Sequence, residues 1–257
     1  MSESSVEPRG RTLLKGQVAV VTGASRGLGR ALVHALTENG VRVIMLARPS
    51  NELSQAADEF GDSALACPCD VRSSEDVTVA IRRGAERFGR VDILVNNAAA
   101  CLVNKIESVS DADVRAEIDT NFLGAIWCVR AVVPYMRQAG RGEIINISSE
   151  SVNAPVPFMT TYAASKAALE TFSAGLRNEL REYGVRVTVA RSGAMQTTIT
   201  NQWSDSQKKD FFSSYANSPR REEAGGSIDP RIMALAIVNI LKLPPEASMR
   251  LVELGGR

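Results

Sequence analysis

Tyr162 and Lys166 stand four residues apart in Thr161-Tyr-Ala-Ala-Ser-Lys166, a spacing that puts both side chains on one face of a helix. Such a pair can move a proton. A free tyrosine titrates near pH 10, about three units too high for efficient exchange at neutrality, and an ammonium beside it favours the phenolate. The same lysine has the reach to hydrogen-bond a ribose hydroxyl. Tyrosine and lysine meet at this spacing on many helices by chance. The pair gains meaning from Ser149, thirteen residues before the tyrosine and just past a β-branched run. Ligands of parallel sheets bind beyond the carboxyl ends of the strands, where a serine hydroxyl can hold a carbonyl oxygen.

A second constellation lies near the amino terminus. The run Gln17-Val-Ala-Val-Val-Thr22 is followed by Gly23-Ala-Ser25-Arg26-Gly27-Leu28-Gly29. Glycines after a strand allow a tight turn and close backbone approach to a pyrophosphate. The helix that follows offers free N–H groups and a favourable dipole. The spacing Gly-x-x-x-Gly-x-Gly departs from the common Gly-x-Gly-x-x-Gly fingerprint. An acid about 20 residues beyond the glycines would bind the ribose 2′-hydroxyl of NAD, whereas arginine accommodates the 2′-phosphate of NADP. Here the second strand ends Leu46-Ala47-Arg48-Pro49. It lacks the acid, and Arg48 joins Arg26 as a second guanidinium suited to bidentate phosphate contact. NADP is therefore the expected cofactor, with NADPH as the hydride-donating form.

These residues need a frame that gathers strand ends at one edge. Short apolar, β-branched runs at 17–22, 41–47, 64–67, 92–95, 143–147, 185–189 and 250–253 alternate with helical patterns at 26–39, 73–88, 111–138, 160–183 and 229–242. Near-continuous apolar strands suit a sheet covered on both faces. The alternation predicts an α/β fold with a doubly wound, seven-stranded parallel sheet, Rossmann-like, with right-handed crossovers. Gly40, Gly89, Gly140 and Gly184 stand where helices should stop in left-handed caps. Residues 1–11 read as a disordered tail and 12–257 as a single domain. The span 194–228 lacks clear periodicity and is long for a compact domain, which suits a substrate lid. Trp203, Phe211, Phe212 and Tyr215 cluster in it, either over an apolar carbonyl substrate or simply packed on the body. Ser218–Gly226 reads as exposed and mobile.

Composition narrows the chemistry. Apolar residues make up 44% and charged residues 23% of the 257, enough for a core without a metal or disulfide staple. A net charge of +1 with no basic run argues against nucleic acid or an anionic membrane as partner. Neither a membrane-length apolar run nor a signal-peptide core is seen, so a cytoplasmic location is expected. The one histidine, His34, sits inside an apolar helix, poorly placed for a Ser-His-Asp hydrolase. The four cysteines, Cys67, Cys69, Cys101 and Cys128, lack metal-site spacing, so they read as reduced thiols and no metal is expected.

Thr22-Gly-x-x-x-Gly-x-Gly29, Asp70-Val71, Asn96-Asn97-Ala98, Asn121, Ser149 and Tyr162-x-x-x-Lys166, in this order, resemble the short-chain dehydrogenase/reductase family over residues 14–253. The resemblance implies that Tyr162 is the general acid in reduction and the base in oxidation, and that Ser149 positions the carbonyl. Lys166 is implied to lower the Tyr162 pKa and to bind the ribose. Asn121 is implied to hold a water linking Lys166 to solvent, and Asp70 and Val71 to border the adenine. The Asn96-Asn97-Ala98 turn is implied to steady the sheet and the cofactor ribose, and Thr197 to contact the carboxamide. Assembly as a homotetramer or homodimer through the long helices at 111–138 and 160–183 is implied as well. Two places depart from the family pattern. Ala99 stands where glycine is usual, at a cost of about 1 kcal/mol if φ is positive there. Ser192-Gly193 stands where Pro-Gly is usual, which removes a fixed φ from the nicotinamide-facing loop. The expected function is reduction of a ketone or aldehyde to an alcohol. NAD-dependent alcohol oxidation shares every catalytic residue, and a non-catalytic nucleotide-binding scaffold is the third reading.

Overall fold

The computed structural model describes residues 14–216 and 226–256. The expected tail at 1–11 and residues 217–225 of the expected lid lie outside them, and with them nearly all of the span 218–226 read as mobile.

Seven parallel strands form one sheet: β1 (Val18–Thr22), β2 (Arg42–Ala47), β3 (Ala64–Pro68), β4 (Ile93–Asn96), β5 (Gly142–Ser149), β6 (Val185–Ser192) and β7 (Leu251–Leu254). Their order is β3-β2-β1-β4-β5-β6-β7. The chain therefore builds outward from β1 to one edge and then crosses back to start the other half at β4. Ligands of such sheets bind at that reversal, beyond the carboxyl ends of the strands. Register sets what meets there: Val21 lies opposite Val95, and Ser149 opposite Ser192.

Successive strand side chains point to opposite faces. Ala19 and Val21 are buried on one face of β1, and Val18 and Val20 on the other, which explains the continuous apolar runs. One face is covered by α1 (Gly27–Glu38), α2 (Asn51–Phe60) and α8 (Pro230–Leu241), through Leu32, Leu53 and Ile237 among others. The other is covered by α3 (Ser74–Phe88), α5 (Gly124–Ala139) and α6 (Thr160–Glu179), through Ile81, Val132 and Leu176. Two further helices, α4 (Asp111–Ile118) and α7 (Asp205–Ala216), flank the segment that follows β4.

The four expected glycine caps have φ of 74°, 82°, 64° and 67° at Gly40, Gly89, Gly140 and Gly184, the left-handed region that favours glycine. The helix expected at 111–138 is instead α4 and α5 joined by one wide turn, Asp119–Leu123, in which the Gly124 N–H reaches back five residues to the Asp119 carbonyl. That expected at 160–183 ends at Glu179 and continues as a short tight turn, Arg181–Tyr183. The span 194–228 is not structureless, since it carries a tight turn at Ile199–Gln202 and then α7. Among the described residues no helix is long and apolar enough to cross a membrane.

Candidate active site

The loop after β1 folds so tightly against the strand ends that it presents mostly backbone. Gly23 and Gly27 have φ of 65° and 55°. A Cβ on Gly23 would stand 3.0 Å from the Ala98 Cα, and one on Gly29 only 2.0 Å from the Gly23 carbonyl oxygen. Helix α1 starts with no side-chain cap and no acid in its first turn, so its leading N–H groups are left for an anion. Leu28 is buried beneath the loop, Ser25 is half-buried, and Arg26 is exposed. Thr22 Oγ1 accepts from the Asn97 and Ala98 N–H groups, both at 2.9 Å, while Asn97 Nδ2 donates to the Thr22 carbonyl at 2.8 Å. The ends of β1 and β4 are thereby locked together. Thr197 Cγ2 lies 3.6 Å from where a Gly27 Cβ would be, which brings the loop after β6 over the glycine loop.

Arg48 is exposed at the end of β2. The Asp70 carboxylate is clamped by the Arg72 guanidinium, with N–O distances of 2.6 to 3.0 Å. That bond, chiefly, holds its pKa below the usual range, and the charge of Arg48 adds to it. Val71 is buried and packs where a Cβ on Gly124 would be, 3.1 Å away. Asn96 Oδ1 is buried without a partner among the described residues, and Asn96 lines a small cavity with Thr22, Ala98, Asn121 and Lys166. A backbone cradle, an uncapped helix start and an unused buried acceptor beside it fit a nicotinamide dinucleotide.

On the far side of this crevice, the end of β5 meets the start of α6. Ser149 ends β5 beside Tyr162, near enough to favour ionisation of its phenol, and its Oγ accepts from the Ser151 N–H at 3.2 Å. Lys166 is buried, its Nζ donating to the Ile147 carbonyl at 2.9 Å and lying 5.8 Å from the centre of the Tyr162 ring. Burial, above all, pushes the Tyr162 phenol upward; Cys101, Glu117 and Glu150 add to this, and the neighbouring Ser149 hydroxyl opposes it. The same burial pushes Lys166 down to about 8. The four-residue spacing to Lys166 predicts a lowered phenol pKa. Here the phenol is instead raised, because desolvation outweighs every neighbouring group and the ammonium is engaged with a carbonyl.

Asn121 sits in the wide turn between α4 and α5. Its Oδ1 accepts from the Ala100 N–H at 2.8 Å, and its Nδ2 donates to the Ala100 carbonyl at 2.8 Å and to Ser165 Oγ at 2.9 Å. The side chain braces the segment after β4 against α6. Ala99 carries no strain, since the one non-glycine residue at positive φ among those described is Phe158, at 68°. The Phe158 carbonyl accepts from the Asn104 N–H at 3.0 Å. A conformation this unfavourable persists only where the surroundings over-determine it.

Gly193 donates its N–H to the Leu254 carbonyl at 2.9 Å, and a Cβ on it would stand 2.9 Å from the Gly255 Cα and 3.1 Å from Glu150 Oε2. Close approach, rather than φ, demands glycine there, and Glu150 points at this turn. Ser192 is buried, and its Oγ donates to the Gly193 carbonyl at 2.8 Å, restraining the loop without a proline ring. Trp203 is buried and donates its Nε1–H to the Cys101 carbonyl at 2.7 Å. Phe211, 5.1 Å from its ring, joins it with Phe158 and Tyr162 in one cluster. Of the aromatic residues of the 194–228 span, Trp203 and Phe211 thus pack with the tyrosine, while Phe212 is exposed. Two contributors had no sequence signal: Phe158, and Glu117, which looks like any solvated helix carboxylate yet is buried and accepts from the Leu102 N–H at 2.8 Å. His34 lies on the exposed side of α1, 3.3 Å from Glu38.

Residues 17–208 match the short chain dehydrogenase family. The chain belongs to that family, an oxidoreductase family that binds nicotinamide cofactors. An uncharacterized oxidoreductase of Staphylococcus aureus strain MW2 is 32% identical over 239 residues, covering 93% of this chain and 96% of the relative. The crystal structure of a short-chain dehydrogenase from Streptomyces avermitilis aligns with a TM-score of 0.81 at 32% identity, over 93% of this chain and 88% of that one. A metagenomic short-chain oxidoreductase in complex with NADP aligns at 0.79 and 28% identity, over 96% and 99%.

Proposed function

We propose that the protein reduces a ketone or aldehyde to an alcohol with NADPH. The observation that carries this reading is the placement of Ser149, at the carboxyl end of β5, beside Tyr162, with Lys166 buried one helical turn on. Two exposed arginines, Arg26 and Arg48, and the absence of an acid where β2 ends favour NADP over NAD; the metagenomic relative holds NADP. The crevice between the glycine loop and the ends of β4 and β5 would hold the cofactor, whose nicotinamide would supply the hydride for the carbonyl carbon. The Ser149 and Tyr162 hydroxyls hold the carbonyl oxygen and stabilise the charge that grows on it. Tyr162, kept protonated by burial, then releases its proton to that oxygen. Lys166 binds the ribose, Thr197 the carboxamide, and Asp70 and Val71 flank the adenine. The span 194–228 acts as the substrate lid, and the enzyme assembles as a homotetramer or homodimer in the cytoplasm.

The test is a fluorescence titration with NADPH and NADH, followed by a panel of ketones and aldehydes assayed with the parent and Tyr162→Phe. Tighter binding of NADPH, and turnover that vanishes in Tyr162→Phe while NADPH binding persists, support the reading. Unchanged turnover in that variant ends it. Preference for NADH moves the cofactor to NAD and the direction to alcohol oxidation.

A further inference from the structure

Behind the site lies a half-buried ionic cluster that no step above uses. The Glu170 carboxylate, on α6, accepts from Ser148 Oγ at 2.6 Å and from Arg191 Nε and Nη2, both at 2.7 Å. Arg191 also reaches Glu253 of β7, at 3.3 Å. The Arg191 and Glu170 side chains are each 14% exposed. Every member neighbours a group assigned to the chemistry. Ser148 precedes Ser149 on β5, Arg191 precedes Ser192-Gly193 on β6, and Glu170 lies one turn beyond Lys166 on α6. One carboxylate thus ties together the three elements whose relative placement sets the site. The two-pronged guanidinium contact fixes direction as well as distance.

We propose that Glu170 and Arg191 are positioning residues that hold Tyr162 in register with Ser149 and the Gly193 loop. The inference rests on the proposed carbonyl reduction. Apolar packing alone leaves a helix free to shift by fractions of an ångström, and a displacement of about 1 Å at a reacting group costs roughly a hundredfold in rate. The same two strands provide an internal contrast. Glu143 and Arg186 face each other at their opposite ends, paired at 2.7 Å with exposures of 19% and 15%. That pair has the same chemistry and similar burial but lies far from the crevice.

The experiment compares Arg191→Lys, which keeps the charge and loses the fork, and Glu170→Gln, which keeps the shape and loses the charge, with Arg186→Lys as control. We expect kcat to fall roughly 10- to 100-fold in the first two, with unchanged NADPH affinity. In crystal structures of both, the Ser149 Oγ–Tyr162 Oη separation should lengthen relative to the parent. Arg186→Lys should lower the melting temperature and leave both kcat and that separation alone. A Ser149–Tyr162 separation unchanged from the parent in both site variants, or a kcat loss matched by Arg186→Lys, overturns the proposal. Should the parent turn over no carbonyl, the functional reading fails, and the crystallographic comparison still decides whether the pair positions Tyr162.

Discussion

Gly29 lies so close beneath Gly23 that a Cβ on it would stand 2.0 Å from the Gly23 carbonyl oxygen. Nothing flexible can move aside, since the obstruction is backbone. Gly29→Ala must push α1 away from the end of β1 and open the cradle. We expect its NADPH affinity to fall by roughly a hundredfold or more, while Gly27→Ala, whose Cβ would meet nothing nearer than 3.6 Å but at φ 55°, loses only the 1–2 kcal/mol or so of a left-handed alanine. Fluorescence titration of the two variants checks the ranking; equal losses would contradict it.

The cofactor assignment turns on two exposed guanidiniums. A charge-assisted hydrogen bond is worth roughly 1.5–3 kcal/mol, so Arg48→Ala should weaken NADPH binding about tenfold or more and leave NADH binding unchanged. Adding Arg26→Ala should deepen the loss for NADPH alone. Isothermal titration with both nucleotides measures this, and a matching loss for NADH would place the arginines elsewhere.

Glu117 is the buried carboxyl whose titration should be visible. Burial pushes it up to about 7 despite the Leu102 N–H bond that opposes the shift. Between its unfolded value, near 4.3, and about 7 the folded protein holds a proton that the unfolded chain has lost. Its contribution is therefore present below that window and lost as pH rises through it. Glu117→Gln, which carries no charge and still offers an acceptor to Leu102, should flatten this decline. We expect melting temperatures to match the parent near the bottom of the window and exceed it by a few degrees at the top, equivalent to about 2 kcal/mol. Thermal melts across that pH range decide it.

Much of this was legible because the signals are local. Strands buried on both faces leave unbroken apolar runs, and left-handed helix ends leave glycines such as Gly89 and Gly184. What escaped depends on partners distant in sequence. Helix α2 is held by a Ser50 cap and only Leu53 and Ala56 buried, too little periodicity to read. The Asn121 brace needs Ala100 and Ser165, and the Glu170–Arg191 pair joins a helix to a strand across 21 residues. The direction of the Tyr162 shift follows from burial, which spacing to Lys166 does not reveal.

That direction also governs which way the reaction responds to pH. A phenol pushed upward keeps its proton at neutrality, so reduction, which consumes the acid form, should run level from about pH 6 to 8. Oxidation needs the phenolate and should climb above pH 8, by up to about tenfold per unit. Lys166, pushed down to about 8, loses its charge over the same upper range, so affinity for the ribose should weaken there. Lys166→Met should therefore abolish the pH dependence of NADPH binding while lowering its affinity throughout. Initial rates in both directions, with NADPH dissociation constants measured alongside from about pH 6 to 10, test the assignment. An oxidation rate independent of pH would remove Tyr162 from the proton-transfer step.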